Sequence, residues 1–293
     1  MSAKSFERVT AGAEVNVAVA ISRLGLKSQY FSRFGNDQLG SVMLADIAAE
    51  GGDVSLAKRV NSYTGAVVRN PGKSAPVELS YLRKGSAAST IEPSDILDSY
   101  ISSARWVHTT GITCAISQSG ADTVKIALEK AAAMNVKSSF DLNIRRKLWS
   151  EAQARVVLEP LAKNVDLLIG GEDEYLAVFG GQEPKDILAE ANKRGCKIAV
   201  MTKGDQKMRY SINGNYAELT PPKVLAVDPV GSGDAFTGGV IAGLLSGMKA
   251  EQALEQGSIC GALVASMFGD WTGIPTGVAG VVSNQIVQKV RGN

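Results

Sequence analysis

The chain has one histidine (His108), three cysteines and almost no net charge, with 31 basic against 29 acidic side chains. A single histidine and the absence of any Cys-x-x-Cys pair exclude the common zinc arrangements. Cys114, Cys196 and Cys260 are far apart and odd in number, so they make no disulfide framework. They are expected as reduced, buried thiols of a cytoplasmic protein. No apolar run is long enough to span a membrane and no signal peptide opens the sequence. A formal charge of +2 gives no broad electrostatic case for nucleic acid or a membrane surface as partner. Two nucleotide motifs are also missing. There is no Gly-x-x-x-x-Gly-Lys-Ser/Thr loop and no Gly-x-Gly-x-x-Gly after a strand, which argues against a P-loop enzyme and a dinucleotide oxidoreductase. What is present, 45% apolar and 20% charged residues over 293 positions, is a globular composition with ample length for a core.

Strand-like and helix-like stretches alternate from Glu92 onward, the pattern of a mainly parallel sheet covered on both faces. Strands are expected at Trp106–Thr109, Val136–Leu142, Val165–Ile169, Ile198–Thr202 and Val224–Asp228. Helices are expected near 94–103, 119–134, 151–163, 172–179, 185–193, 235–248, 251–267 and 283–290, and a hairpin turns at Asn213-Gly214. Earlier, Ser5–Thr10 reads as a short strand. The run Ala11-Gly-Ala-Glu-Val-Asn16 and a helix ending at Leu24-Gly25 follow, with Gly25 as its C-terminal cap, then a strand around Gln29–Arg33 and a helix through Ala49. Thr64–Arg69 and Val77–Lys84 form a second hairpin around Asn70-Pro-Gly-Lys73. Alternation along that second strand sends Tyr81 and Arg83 to one face.

The chain is organised around Val224–Phe236, an apolar run, the turn Asp228-Pro-Val-Gly-Ser-Gly-Asp234, and a helix. Amides of Gly231, Ser232 and Gly233 at a helix N-terminus suit an anion. Asp234 beside them suits either a helix cap or a general base for an attacking hydroxyl. Gly238, Gly239 and Gly243 allow the helix to lie close to a neighbour. Outside the carboxyl ends of the strands, where ligands of such sheets gather, stand Asp141, Asn143 and Arg145. They share one side if the strand continues. Arg145 suits a bidentate grip on carboxylate or phosphate, or an ordinary salt bridge.

Asp228-Pro-Val-Gly-Ser-Gly-Asp-Ala-Phe236 resembles the C-terminal signature of the ribokinase-like (PfkB) carbohydrate kinases, and its Asp-Pro-Val opening is similar to 2-keto-3-deoxygluconate kinases. Ala-Gly-Ala-Glu-Val-Asn (11–16) with Phe-Gly-Asn-Asp (34–37) resembles the family's N-terminal signature. Tyr81-Leu-Arg-Lys-Gly-Ser-Ala-Ala-Ser89 resembles the run lining the sugar-acid pocket. The resemblance implies a ribokinase-like α/β fold, with a core of 11–61 and 87–293 and a small β lid of 1–10 and 62–86. It implies an ATP- and Mg2+-dependent kinase acting on the terminal hydroxyl of 2-keto-3-deoxygluconate. Asp234 becomes the base, aided by Gly231, Ser232, Gly233 and Arg145. Gly12, Asn16, Tyr81, Arg83, Asn143 and Asp270 become substrate contacts. Thr202 and Gly204, with Gly231 and Gly233, become nucleotide contacts, and Glu174 a helper of hydrated magnesium. A homodimer through the lid is a further implication.

Several positions depart from the family pattern: Arg146 stands where proline is usual, Gly171 where asparagine is, Lys207 where glycine is, and Ser258 where an asparagine near adenine is common. Family members also begin about one core strand and one lid strand earlier. These departures keep two alternatives open: a fructokinase or other sugar kinase of the family, and a non-catalytic sugar or nucleotide sensor on the kinase fold.

Overall fold

The computed structural model describes residues 5–69 and 79–277. Six strands form the main sheet in the order β10-β9-β8-β7-β6-β5. They are β5 (Trp106–Thr110), β6 (Lys137–Asp141), β7 (Leu167–Gly171), β8 (Ile198–Thr202), β9 (Met208–Ile212) and β10 (Asn215–Leu219). The pairs β5–β6, β6–β7 and β7–β8 are parallel, and β9 and β10 add an antiparallel edge. Two small sheets stand apart: β1 (Arg33–Gly35) with β2 (Lys58–Val60), parallel, and β3 (Ala66–Arg69) with β4 (Leu79–Leu82), antiparallel. The β3–β4 hairpin is the proposed lid.

Strand periodicity divides the core between the two faces of the main sheet. Leu167 and Ile169 of β7 pack with Val17 of α1 (Ala13–Arg23), Val240 and Ile241 of α9 (Ser232–Leu245) and Leu254 of α10 (Ala250–Ala265). Leu168, between them, packs on the opposite face with Leu128, Leu158, Val178 and Leu188. Those four belong in turn to α5 (Gln118–Ala133), α6 (Glu151–Leu161), α7 (Glu172–Phe179) and α8 (Pro184–Lys193). The three shorter or peripheral helices are α2 (Gln38–Ala49), α3 (Asp98–Ser102) and α4 (Gly111–Ile116).

Glycines set the spacing of the first layer, as expected. A side chain at Gly238 would collide with Ala20 of α1, and one at Gly239 would lie 2.8 Å from the Gly257 Cα of α10. All three thiols are free and buried. His108 donates to or accepts from Ser139 inside the sheet, and burial holds its imidazole neutral, with a pKa pulled down to about 3.

The sheet and most helices lie where the sequence puts them, β2 and α4 are additions to it, and four expected elements come out differently. Residues 5–10 form no strand. They run beside α2 instead, where Arg8 and Thr10 both bond Asp46. The helix expected over 94–103 is interrupted, because the buried Asp95 carboxylate is drawn away to Arg33, Lys58 and the Glu92 amide. Val224–Asp228 is extended but unpaired in the sheet. After Pro221-Pro222 it lies over the end of α10, where the Val227 and Asp228 amides both reach the Ala265 carbonyl, and Leu225 stays 87% exposed. The segment at 29–33 makes only a bridge from Gln29 to Asp53 before β1 begins. The turn at 70–73 and the helix expected near 283–290 lie outside the described residues.

β5 is the last strand of its sheet, and its outer edge faces residues 29–34 across a cleft of about 970 Å³. Glu14, Thr64 and Arg83 line the same cleft. Among the described residues no helix is long and apolar enough to cross a membrane.

Tyr175 ties the sheet to α7. Its buried hydroxyl donates to the Leu168 carbonyl at 2.9 Å and accepts from the Val200 amide at 3.2 Å. Tyr175→Phe strips both partners in a dry site, so urea unfolding is expected to show a loss of about 1–3 kcal/mol.

Candidate active site

Asp228 builds the turn from which the site grows. Its Oδ1 accepts from the Val230 amide at 3.2 Å, and the chain then reaches Gly231 in the left-handed region, φ 82°. A Cβ there would strike the Asp270 backbone, 2.7 Å from its Cα, so glycine is required twice over, for conformation and for space. Gly231 is the N-cap of α9, and no acceptor within the described residues takes its amide or that of Gly233. The Ser232 amide is turned inward and bonds the Pro229 carbonyl at 3.2 Å, leaving two of the three expected donors for an incoming anion.

Asp234, in the first turn of α9, is 8% exposed. Its Oδ2 accepts from Asn16 Nδ2 at 2.7 Å, and the same nitrogen lies 3.2 Å from Asp270 Oδ2. One side-chain amide from α1 thus bridges two carboxylates from the far end of the chain. Asn16 Oδ1 is buried with no partner within the described residues, an acceptor aimed at something that donates. Burial pushes the Asp234 carboxyl up to about 7. The Asn16 bond and the field of Arg145 pull it down, while the Asp270 and Glu14 charges push it up. A carboxylate poised near neutrality is what general-base catalysis requires. Burial also raises the Asp270 carboxyl. Gly12 caps α1, and its carbonyl takes the Asn16 amide at 2.7 Å.

Arg145 follows β6. The expected alternation of Asp141, Asn143 and Arg145 does not hold, because β6 ends at Asp141 and Asn143 turns left-handed at φ 37°. The Asn143 amide folds back onto Asp141 Oδ1, and the Leu148 amide closes a turn on the Arg145 carbonyl at 2.7 Å. Arg146, in the place of a proline, anchors this turn to Glu151 and Asp173, each at 2.6 Å. Arg145 is exposed and makes no ion pair within the described residues, yet its field lowers the carboxyls of Asp141, Glu174 and Asp234.

From the hairpin, the Arg83 guanidinium stacks over the Tyr81 ring at 5.0 Å, in keeping with their shared face. Arg83 also forms no ion pair within the described residues. Burial lowers its pKa; Tyr81, Glu14 and Tyr30 oppose that shift, and the nearby Arg145 charge adds to it. Two guanidiniums that feel each other and make no ion pair within the described residues have the chemistry to take an anion, and Arg145 of the two acts on Asp234.

Glu174 accepts from the Ile144 amide at 2.6 Å and the Gly171 amide at 2.7 Å. Both oxygens are thereby fixed, and burial raises its carboxyl. Gly171, lacking the usual asparagine side chain, contributes only backbone. Among the described residues no cluster of three or more side chains would hold a metal directly. A hydrated magnesium ion keeps several of its waters, so the raised carboxylates of Glu174 and Asp141 fit it through water. Thr202 ends β8 next to β7, and its hydroxyl reaches the Gly170 carbonyl at 3.3 Å. Gly204 is left-handed in open space, while Lys207 points away to Glu218 on β10. Ser258 is buried in α10.

Two participants were not anticipated from the sequence. Glu14 Oε1 accepts from Thr110 at 2.8 Å and Thr113 at 2.6 Å, and its charge acts on both Asp234 and Arg83. Arg69 of the hairpin grips Asp228.

The model of the pfkB family carbohydrate kinases matches residues 1–277. The chain belongs to the pfkB carbohydrate kinase family. It is 34% identical to a 2-dehydro-3-deoxygluconokinase of Thermoproteus tenax over 92% of this chain and 84% of that one. It is 32% identical to one of Bacillus subtilis, over 93% and 85%. The crystal structure of 2-dehydro-3-deoxygluconokinase from Thermotoga maritima superposes with a TM-score of 0.86 at 25% identity, covering 100% of this chain and 93% of that one. A pfkB kinase with a ribokinase-like fold thus carries the Asp228–Asp234 turn described above.

Asp234→Asn tests the base. General bases contribute about 10²–10⁴-fold, and turnover is expected to fall within that range. A few-fold effect would show that Asp234 is not the base; Gly231, not Asp234, caps α9, and no side-chain bond caps that end. In the wild type kcat/KM is expected to fall as pH drops through about 7, because the protonated carboxyl cannot accept a proton. Stability runs the other way. The folded state holds this proton more tightly than the unfolded chain, so its stabilising contribution is complete below about 3.9 and is lost as pH rises through about 7. Asp234→Asn is therefore expected to raise Tm at pH 8 and leave it nearly unchanged at pH 4.

Proposed function

We propose that this kinase phosphorylates the terminal hydroxyl of 2-keto-3-deoxygluconate (2-dehydro-3-deoxygluconate) with ATP. The observation that carries the reading is the pair Arg83 and Arg145, two guanidiniums that act on each other and make no ion pair within the described residues, with Arg145 acting on the buried Asp234 carboxyl as well. A neutral sugar needs no such charge. A sugar acid presents a carboxylate at one end and its terminal hydroxyl at the other, and the transferred phosphoryl group adds a second anion. The names of the 32–34% identical relatives support the same substrate.

In this account Arg83, held flat by Tyr81, grips the carboxylate. The orphaned Asn16 Oδ1 accepts from a sugar hydroxyl, and Asp270, Asn143 and Gly12 line the sugar. Asp234 takes the proton of the terminal hydroxyl as that oxygen bonds to the γ-phosphorus and the bond to ADP breaks. The Gly231 and Gly233 amides and the Arg145 guanidinium face the charge that spreads over the phosphoryl oxygens, so the residues supply position and field. The nucleotide lies along Thr202 and Gly204, with the open Gly204 turn leaving room for it. Glu174 and Asp141 would hold a hydrated magnesium ion through its waters, and the ion would offset phosphate charge.

The hairpin has a further role in assembly. Among the described residues β3 and β4 pair only with each other, so each leaves an open edge there, and Leu82 is 54% exposed. Such edges are protected by pairing with another chain. A homodimer through this hairpin is expected in light scattering at micromolar concentration, and a monomer would contradict it.

The substrate is tested on Arg83. Charge-assisted hydrogen bonds contribute about 1.5–3 kcal/mol, so Arg83→Ala is expected to lower kcat/KM for 2-keto-3-deoxygluconate by roughly ten- to a hundred-fold. Arg83→Lys should recover only part, and any activity on fructose should change little. A wild type that prefers fructose would make this a fructokinase. Equal loss on both sugars would assign Arg83 to lid closure instead.

A further inference from the structure

The lid hairpin and the phosphoryl site meet at one residue that neither the motifs nor the proposed chemistry uses. Arg69 closes β3. Its Nη1 donates to Asp228 Oδ1 at 2.9 Å and its Nη2 to Asp228 Oδ2 at 2.6 Å, a two-point grip across 159 positions of sequence. The same Nη2 stands 4.0 Å from Asp270 Oδ1. Asp228 is 5% exposed, so its charge lies largely out of water and Arg69 is the cation that compensates it. The attraction is mutual, and the Arg69 guanidinium is held more firmly in its charged form.

What makes this pair more than an ordinary ion pair is what Asp228 and Asp270 do next. Asp228 Oδ1 also holds the Val230 amide, and so shapes the turn that presents Gly231 and Gly233. Asp270 packs its backbone against Gly231 and shares the Asn16 amide with Asp234. A planar, five-donor guanidinium on the hairpin therefore bonds one end of the frame that holds the donors and Asp234, and stands 4.0 Å from a carboxylate at the other.

We propose that Arg69 is a positioning residue that latches the lid hairpin onto the Asp228 turn. Closure of the hairpin and ordering of the phosphoryl site are thereby one event. The proposal rests on the reading of the hairpin as a lid and of Asp234 as the base. With the latch engaged, water is kept from the γ-phosphate and the sugar hydroxyl is the nucleophile admitted. With it released, the turn keeps its internal bond to Val230 but loses its tie to the hairpin.

Hydrogen exchange, read peptide by peptide, separates this role from a general loss of stability. Three variants are compared with the wild type: Arg69→Met, Arg69→Lys, which keeps the charge but loses the planar fork, and Asp228→Asn, which keeps an acceptor for Val230. In Arg69→Met the β3–β4 amides are expected to exchange roughly ten- to a hundred-fold faster. Protection in β6, β7 and β8 should stay at wild-type level. Arg69→Lys should fall between, and Arg69→Met with Asp228→Asn should go no further than either alone. In turnover with ATP and 2-keto-3-deoxygluconate, the wild type should form one ADP per sugar phosphate, and the latch variants an excess of ADP from water attack. Unchanged hairpin exchange, additive effects in the double variant, or loss of protection spread evenly over the sheet would each overturn the latch. The exchange arm reads the hairpin directly. If the wild type phosphorylated no sugar, the substrate reading would fail while the latch was still decided.

Discussion

The structure depends on keeping the Asp234 carboxylate out of water without leaving it unsupported. A charge buried alone would be neutralised. Here a single Asn16 amide, a distant Arg145 and an acidic neighbour in Asp270 balance it near pH 7. Each of these supports arrives from a different part of the chain. α1 brings Asn16, the loop after β6 brings Arg145, and the segment after α10 brings Asp270 under the left-handed Gly231. The small residues of α9 follow from the same demand. Gly238 and Gly239 let α1 and α10 come close enough for Asn16 and the Gly231 turn to sit around one carboxylate.

Around that base the charges are sorted by sign. Asp141, Glu174, Asp234 and Asp270 all have raised carboxyls, an acidic wall that would repel a doubly anionic substrate pair. Arg145 and Arg83 oppose the wall from the solvent side and from the hairpin, and Arg69 neutralises Asp228 beneath it. Among the described residues these two cations make no ion pair and the Asn16 oxygen has no partner, which is a costly arrangement by itself. It becomes favourable when a carboxylate, a phosphate and a sugar hydroxyl arrive together.

Much of this was legible in the sequence because it is local. The Asn213-Gly214 hairpin, the strand Ile198–Thr202 and the helix Glu172–Phe179 follow from short-range pattern and stand where expected. The Gly231–Asp234 turn was also readable as a helix start, and the Gly231 and Gly233 amides stand there without an acceptor among the described residues. The failures are equally physical. Val224–Asp228 has the composition of a strand, yet Pro221-Pro222 steer it over α10, and apolar content alone does not reveal that no partner strand is waiting. Asn143 reads as a strand continuation but folds left-handed because Asp141 captures its amide. Ser232 looked like a phosphate donor and turned inward. Arg69 and Glu14 carried no signal of their own, since their partners lie far away in sequence and only the fold brings them together.

The central claim is that this site transfers the γ-phosphoryl group of ATP to the terminal hydroxyl of a sugar acid. Phosphorus and carbon NMR of a complete reaction with 2-keto-3-deoxygluconate examine it directly. The account predicts a single new phosphate monoester whose coupling places it on the terminal carbon, with one ADP for each ester formed. Unreacted sugar acid beside a phosphorylated neutral sugar, or an ester at another carbon, would contradict it.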